Sequence, residues 1–365
     1  MKMKDLIFII YSLFFNLGAK IGIKENRIAL ISMHNAHFND GLGEIEAEFK
    51  YRDKSYEFIK VERTDLSSKV KAFKFLTVNA FKCGRAKFIF LNDNFMALGY
   101  CKPNLNTKIV QLWHGQGAFK KFGFDIDVAK DVRRRERAAN EKLSYVVASS
   151  SGVKEIYASA FGVTEDKVLT LGSPNSDYYF RNFSKKLAKE HLYELYPELE
   201  GKKVILYAPT FRDDKSDVLK NINFEKLQDE NTYVLVRLHP QVHNDEAVKG
   251  AFDVTDYDNV NELCTVADLL ITDYSSICMD FVLQDKPVLY YAFDLNNYKG
   301  ARDFYFDYES YVSGPVLKTE DELVIATKRA LAGEFDANKA KKFKDFNFDN
   351  LDGSAAKRLV DFLIK

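Results

Sequence analysis

The chain has 365 residues, enough for two domains of ordinary size. Hydrophobic residues make up 46% and charged residues 29%, so each half can form a hydrophobic core. Lys and Arg together number 53, as do Asp and Glu, which argues against a general affinity for nucleic acid and makes any anion site a local feature. The four cysteines have no CxxC spacing, which favours reduced thiols over a zinc site or a disulfide scaffold.

The amino-terminal segment, residues 1–25, contains the apolar run LIFIIYSLFF at 6–15. Ten residues are too few to span a bilayer, which takes about 20. Lysines on both sides of the run suit a helix that lies in the membrane interface. A first helix packed on its own domain explains the pattern equally well, and both interpretations stay open.

Short apolar runs alternate with helix-like segments along the rest of the chain. The predicted strands are 27–33, 56–61, 87–92, 108–113, 145–149, 167–172, 203–208, 233–238, 268–272 and 287–291. Most are continuously apolar, as expected for parallel strands covered on both faces, and helical patterns such as 65–81, 128–143 and 151–162 separate them. We therefore predict an α/β protein with domains at 26–178 and 179–345, and a closing helix at 346–365 with Asp352 as its N-cap.

Unusual residues come directly after four of the predicted strands. They are His114 and Gly115 after 108–113, Thr210 and Arg212 after 203–208, His239 after 233–238, and Asp273, Ser275 and Ser276 after 268–272. Ligands of open α/β sheets bind outside the carboxyl ends of the strands. The coincidence at four strands predicts a single binding cleft.

The residues after the later strands suit a phosphate-bearing ligand. Thr210 offers a hydroxyl and Arg212 a planar, bidentate cation, although a surface Arg–Asp pair would explain the same letters. Ser275 and Ser276 begin a predicted helix, where phosphate binds readily, but a plain N-cap is the commoner use of serine there. Asp280, one turn into that helix, either holds the loop or contacts a ligand hydroxyl.

Arg237 and His239 are two residues apart on one strand, so their side chains point the same way. An arginine within an apolar run needs a partner, because burying an unpaired charge is costly. A pyrophosphate would serve, and so would a carboxylate of the protein.

His114 stands between the chain's single tryptophan and a glycine, where a substrate has room to approach. An ordinary imidazole has a pKa of about 6.5 and suits a general base. The alternative is a histidine packed on Trp113 or hydrogen-bonded to the backbone. The glycines at 115 and 117 and the lysines at 120 and 121 favour the functional interpretation.

The loop after the first strand, HNAHFNDG, adds polar residues to the same predicted edge. His34, Asn39 and Asp40 are candidate acceptor contacts, with simple loop structure as the alternative. Two histidines without a carboxylate in helical register make a weak metal site, so we predict no metal here. The basic run at 133–137 would meet a membrane surface if the protein docks on one, and is otherwise a solvated helix face.

The motifs together resemble a known family. WHGQGAFKKFGFD, LYAPTFRDD, RLHP, ITDYSSICMDFVLQDKPVLYY and FYFDYESYVSGPV, in this order between about residues 108 and 316, look like the CDP-glycerol glycerophosphotransferases of teichoic acid synthesis. The resemblance implies a GT-B-like fold, in which two Rossmann-like domains with parallel sheets face each other across a cleft.

The resemblance also implies a reaction and roles for residues. Glycerol phosphate would pass from CDP-glycerol to a hydroxyl of a lipid-linked saccharide or polyol-phosphate acceptor, with release of CMP. By analogy His114 would be the base and His239 would stabilise charge on the donor pyrophosphate. Thr210, Arg212, Ser275 and Ser276 would hold the donor phosphates. Cationic hydrogen-bond donors can support this chemistry, so we predict no obligatory metal or other cofactor.

Several alternatives remain within and outside this family. Polymerising members carry a long extra amino-terminal region, whereas about 25 residues precede the first strand here, which favours a primase-like enzyme. CDP-ribitol enzymes, capsule-type enzymes, and nucleotide-sugar transferases or epimerases of the same fold stay open. A catalytically inactive membrane-recruiting module and a nucleic-acid binder are disfavoured. The implied location is the cytoplasmic face of a bacterial membrane, with peripheral attachment.

Overall fold

A computed structural model describes residues 3–33, 38–210, 212, 218–238, 248–296, 298 and 303–365 of the chain. The chain divides into two compact units. The first comprises residues 1–117, 122–177 and 348–365, and the second comprises 118–121 and 178–347. The chain passes between the units at Asp177–Tyr178, beside the boundary expected after residue 178.

The first unit contains a six-stranded, all-parallel sheet. Its strands are β1 (Lys24–Ser32), β2 (Glu57–Glu62), β3 (Ala86–Leu91), β4 (Lys108–Gln111), β5 (Tyr145–Val147) and β6 (Val168–Leu169). Their spatial order is β2-β1-β3-β4-β5-β6. Successive residues of β1, from Ile28 to Ile31, are all buried, because helices cover both faces of the sheet.

One helix of the first unit precedes β1, and five others lie between its strands along the chain. They are α1 (Met3–Ile21), α2 (Gly41–Arg52), α3 (Lys69–Lys74), α4 (Ala80–Gly84), α5 (Lys130–Asn140) and α6 (Lys154–Phe161). The helix predicted at 65–81 begins at Lys69 and continues to Gly84, and it contains a π-helical turn, Phe75–Asn79, between α3 and α4. One core combines Ile28, Leu30, Phe88 and Phe90 of the sheet with Phe49 of α2.

α1 is packed on the first unit along one face and exposed along another. Tyr11 and Phe15 are buried, whereas Leu13, Leu17 and Ile21 are 63%, 51% and 58% exposed. Two glycines permit a close crossing of α1 and α4: a Cβ added at Gly18 would lie 2.1 Å from the carbonyl oxygen of Phe81, and one added at Gly84 would lie 2.0 Å from that of Phe15. Within the described residues, no helix has both the length and the apolar character needed to cross a bilayer.

The second unit contains another six-stranded, all-parallel sheet. Its strands are β7 (Lys203–Ala208), β8 (Thr232–Val236), β9 (Phe252–Asp253), β10 (Leu269–Thr272), β11 (Val288–Tyr291) and β12 (Val316–Leu317), in the order β12-β11-β10-β7-β8-β9. The α/β prediction with parallel sheets is therefore confirmed. The sequence interpretation missed β9 and β12, since two residues at a sheet edge are too short for a pattern.

Helices α7 (Asn182–Leu195), α8 (Val260–Val266), α9 (Ile277–Val282), α10 (Tyr308–Tyr311), α11 (Glu320–Leu331) and α12 (Ala337–Asn347) belong to the second unit. The last helix, α13 (Ala355–Ile364), returns to the first unit. The predicted N-cap at Asp352 is wrong. Asp177 instead accepts hydrogen bonds from the backbone N–H groups of Ala355 and Ala356 at 2.9 and 2.8 Å, and Asp352 pairs with Arg358.

Candidate functional site

Each sheet has one place where the strand order reverses, and the predicted site residues gather at these switch points. In the first unit β1 lies between β2 and β3, so the switch point is at the carboxyl ends of β1 and β3. Asn92, which follows β3, bridges it: its amide donates to Ser32 Oγ at 3.0 Å and accepts from the Met33 N–H at 3.1 Å.

His114 lies beside this bridge. Its Nδ1 is 3.1 Å from the backbone oxygen of Asn92. A carbonyl only accepts, so the proton of the neutral ring is on Nδ1 and the basic lone pair is on Nε2. Burial lowers the pKa of His114 to about 4, although 26% of its side chain stays exposed and Asp93 Oδ1 is 4.0 Å from Nδ1. The ring is therefore a neutral acceptor at physiological pH.

Trp113 has an unusual backbone that sets the direction of the next residue. Its φ is +60°, a left-handed conformation that is rare for a bulky side chain. Gln111 Oε1 accepts its N–H at 2.9 Å, and Asn175 Nδ2 donates to its carbonyl at 3.0 Å. The indole stacks on Phe122 and lies 4.2 Å from the His114 ring, centre to centre. The packing of His114 on Trp113, which was the alternative to a functional role, is thus present, while 26% of the His114 side chain stays exposed.

The acceptor-side candidates have clear structural partners. Asp40 is the N-cap of α2, accepting the Leu42 N–H at 2.9 Å, and its other oxygen accepts from Asn92 Nδ2 at 2.7 Å. Asn39 is exposed beside it, and Gly115 follows His114 in the turn. His34 lies outside the described residues. Asn92 thus connects the Asp40 carboxylate with the His114 ring.

The switch point of the second unit is at the carboxyl ends of β7 and β10. Asp273 bridges it by accepting the Thr210 N–H at 2.8 Å. The Thr210 hydroxyl is buried and has no hydrogen-bond partner in the described part of the chain. It is therefore an available polar atom at the ligand-binding edge.

Arg212 is held inside the protein. Its guanidinium donates to Asp273 Oδ2 at 2.7 Å, to both oxygens of Asp294 at 2.7 and 3.1 Å, and to the Thr210 carbonyl at 2.7 Å. Burial alone would lower the pKa of Arg212, but Asp294 and Asp273 raise it above its ordinary value. The structure places this cation among carboxylates rather than on an open loop, and its contact with donor phosphates stays a prediction.

The remaining donor-side candidates lie near the same edge. Arg237 follows β8 and donates to the carbonyl of Tyr257, and burial lowers its pKa. Ser276 is exposed and directly precedes α9, as predicted, while Ser275 Oγ accepts the Ile277 N–H at 3.4 Å. Asp280 is half-buried within α9. His239 lies outside the described residues, so its predicted role is a sequence prediction only.

Sequence reasoning missed the residues that position the others: Asn92, Gln111, Asn175 and Asp294. A glutamine inside the apolar run KIVQLW and an asparagine ending KFIFLN were available signals. Asn175 and Asp294 are distant in sequence from the groups they hold, so no local pattern reveals them. Among the described residues, no group of three His, Cys, Asp or Glu side chains is arranged to hold a metal ion.

Comparisons with known proteins place this chain. The family model described as CDP-glycerol:poly(glycerophosphate) glycerophosphotransferase matches residues 13–365. A teichoic acid poly(ribitol-phosphate) polymerase of Bacillus spizizenii is 31% identical over 94% of this chain, which spans 56% of that polymerase. A teichoic acid glycerol-phosphate primase of Bacillus subtilis is 30% identical over 76% of this chain and 73% of its own length.

The solved structure of the wall teichoic acid polymerase TagF superposes with a TM-score of 0.78, covering 97% of this chain and 92% of that one at 24% identity. The GT-B-like fold class, with two parallel-sheet α/β units, is thus confirmed. The family match extends over nearly the whole chain and includes both switch points. The chain belongs to the CDP-glycerol:poly(glycerophosphate) glycerophosphotransferase family.

Proposed function

We propose that the protein transfers glycerol phosphate from CDP-glycerol to a hydroxyl of a lipid-linked saccharide or polyol-phosphate acceptor, in the synthesis of teichoic acid or a related cell-surface polymer. The observation that carries the proposal is the neutral His114 at the switch point of a chain in this family. His114 Nε2 takes the acceptor proton while the acceptor oxygen bonds to the phosphorus that carries glycerol. The bond from that phosphorus to the bridging oxygen breaks, and CMP leaves.

The second unit supplies the donor side in this proposal. Thr210 Oγ1, Ser275, Ser276 and Arg237 contact the donor phosphates, together with His239. Negative charge grows on the transferred phosphoryl oxygens and on CMP, and preorganised donors stabilise it. Arg212 contributes chiefly through the field of its buried network with Asp273 and Asp294, and Asp280 supports the α9 end of the site. No metal takes part in this mechanism.

The test is CMP release from CDP-glycerol with a lipid-disaccharide acceptor analogue. His114→Ala should lower the rate by about 10²–10⁴, the range for a lost general base. His191→Ala is the matched control, because His191 is an exposed histidine of the second unit that pairs with Glu262. Equal rates for wild type and His114→Ala would contradict the assignment.

CDP-ribitol should be tested as a second donor in the same CMP-release assay. Similarity to a ribitol-phosphate polymerase at 31% identity favours CDP-ribitol as the alternative donor. CMP release from CDP-ribitol alone would replace glycerol by ribitol in the proposal. UDP release from a UDP-sugar, without CMP release from either donor, would replace phosphotransfer by sugar transfer.

We also propose that the first unit docks on an anionic lipid bilayer at the cytoplasmic side of the membrane. The docking surface combines the exposed apolar residues Leu13, Leu17 and Ile21 of α1 with Val70, Phe73 and Val78 of the segment 69–79 that packs beside it. A groove of about 360 Å³ lies between them, lined by Phe14, Leu17, Phe81 and other residues, with Lys82 and Arg85 among its walls. Exposed lysines at 20, 69, 71 and 74 complete the complementarity to acidic headgroups.

The basic run at 133–137 contributes less to the proposed membrane binding than the sequence suggests. Arg133 donates to the carbonyls of Phe124 and Ile126, and Arg135 is buried against Asp131 and Asp5. Those cations already have partners within the protein. The docking surface is therefore assigned to α1 and 69–79.

Sedimentation with vesicles tests the docking surface. Wild type should bind vesicles that contain phosphatidylglycerol and bind purely zwitterionic vesicles more weakly. Leu17→Glu should abolish binding, whereas Leu195→Glu, at a leucine that is 62% exposed on α7 of the second unit, should leave it unchanged. Binding that is insensitive to Leu17→Glu would refute this surface.

A further inference from the structure

The strained turn at Trp113 decides where His114 points. Trp113 is 9% exposed and holds a φ of +60°, which a large side chain rarely adopts. Such a conformation persists only when its surroundings fix it. Here the N–H and the carbonyl of Trp113 are both held by amide side chains, one of them two residues earlier in the chain and the other 62 residues later.

Gln111 and Asn175 form this clamp. Gln111 is 1% exposed, accepts the Trp113 N–H at 2.9 Å, and donates to the Asp93 carbonyl at 3.0 Å. Asn175 Nδ2 donates to the Trp113 carbonyl at 3.0 Å. The Asn175 contact comes from 62 residues away along the chain, so it is not a product of local turn geometry.

Asn175 also holds a second segment. Its Oδ1 accepts the N–H of Gly41 at 2.6 Å, at the start of α2 and next to Asp40. A Cβ added at Gly41 would lie 2.7 Å from the same oxygen, so the approach depends on glycine. One amide thus fixes both the turn that carries His114 and the helix start that carries Asp40.

We propose that Asn175 is a positioning residue for the His114 base, acting through the left-handed Trp113 turn. This inference rests on the proposed function, because it gives His114 the role of base. Without the Asn175 donor, Trp113 relaxes toward an ordinary backbone conformation. The imidazole then leaves the Asn92 carbonyl and turns toward solvent.

Two variants separate the two bonds of Asn175. Asn175→Ala removes both without adding a charge, and Asn175→Asp keeps an acceptor for Gly41 but loses the donor to Trp113. Asn26→Ala is the matched control, since Asn26 is a half-buried asparagine of the same unit whose amide donates to the Ser55 carbonyl at 2.6 Å. Circular dichroism establishes that each variant is folded before its kinetics are compared.

Steady-state kinetics provide the first readout. We expect both Asn175 variants to lower kcat by about tenfold to a hundredfold, the effect of misplacing a catalytic group by about 1 Å. KM for CDP-glycerol should stay within about threefold of wild type, because the donor residues belong to the other unit. Unchanged kcat in Asn175→Ala, or wild-type kcat in Asn175→Asp, would overturn the proposal.

The single tryptophan provides a second readout that needs no turnover. A protonated imidazole quenches indole emission, and the two rings are 4.2 Å apart. Wild type should keep its emission from pH 7.5 to 5, whereas Asn175→Ala should change emission with a midpoint near the ordinary histidine pKa of about 6.5. Asp93, which faces the ring, and Asp40, linked through Asn92, are retained in this variant, so their charges do not create the difference.

The two readouts fail independently. If wild type releases no CMP from CDP-glycerol, the proposed transfer reaction is refuted. The emission titration still tests whether Asn175 fixes the position of the His114 ring. If the emission of wild type and Asn175→Ala titrates identically, the positioning role is refuted even when kcat is reduced.

Discussion

Arg212→Met tests whether the cation after β7 is first of all a structural element of the second unit. The side chains of Arg212, Asp273 and Asp294 are 6%, 3% and 16% exposed. The substitution removes four hydrogen bonds from the guanidinium and its contacts with the stacked rings of Tyr274 and Tyr298. It leaves two poorly solvated carboxylates without their counter-charge.

Breaking a buried ion pair by removing one partner costs about 3–5 kcal/mol of unfolding free energy. We expect that loss for Arg212→Met in urea unfolding followed by circular dichroism, and a smaller loss for Arg212→Lys, which keeps the charge without the planar fork. The matched control is Arg329→Met. Arg329 belongs to the same unit and pairs with Glu334, but the two side chains are 67% and 61% exposed, so its loss should cost less than about 1 kcal/mol. Equal losses of unfolding free energy in Arg212→Met and Arg329→Met would refute the structural role of Arg212 and favour a direct contact with the ligand.

Three further predictions concern the first unit. The pKa of His114 is about 4 in the folded protein and about 6.5 in the unfolded chain, so the unfolded chain binds the proton first as the pH falls. The contribution of His114 to the free energy of unfolding should therefore be complete above pH 6.5 and should fall by at most about 3 kcal/mol between pH 6.5 and 4. Urea unfolding of wild type and His114→Gln across that range measures the difference, and parallel curves of unfolding free energy against pH would contradict it. Asn92→Asp should cost about 1–3 kcal/mol, because it loses its donor to Ser32 and sets a carboxylate against Asp40; exposed Asn106→Asp is the control, and similar unfolding midpoints would count against the bridge. Gly84→Ala should lower the melting temperature and expose α1 to limited proteolysis, because its Cβ would lie 2.0 Å from the Phe15 carbonyl oxygen. Gly333→Ala is the control: its φ of +87° disfavours a side chain, but nothing lies within 4 Å of the added Cβ, so it should leave the proteolysis of α1 unchanged, and an equal effect on α1 would refute the steric argument.

The framework of the fold was predictable because its signals are local. Runs such as RIALISM and KVILYA are continuously apolar and form β1 and β7, buried on both faces. The position of His114 after β4 followed from the same pattern. The direction and the protonation state of the His114 ring could not be predicted from the sequence, because they depend on the Asn92 carbonyl and on the left-handed backbone of Trp113 that Asn175 holds.

Arg212 illustrates the other limit of the sequence. Its neighbours Asp213 and Asp214, which lie outside the described residues, suggested a local ion pair; among the described residues, the carboxylates that hold Arg212 belong to Asp273 and Asp294. Charge alone could not identify those partners, since they are brought together by the pairing of β7 with β10 and by the chain that follows β11. The amino-terminal helix is a similar case, because its apolar run provides both a packed face and an exposed one.

The crossing of α1 and α4 at Gly18 and Gly84 affects how the exposed face of α1 can change during evolution. Each glycine faces a main-chain oxygen of the other helix, so even the smallest side chain at either position meets an atom that cannot rotate away. The packing of α1 on α4 therefore cannot be changed in small steps by substitution at these two glycines. The exposed positions 13, 17 and 21 lie on the same helix without that restriction, and they can exchange one apolar residue for another step by step. Selection can therefore adjust what α1 presents to its surroundings while the attachment of α1 to its own domain stays fixed.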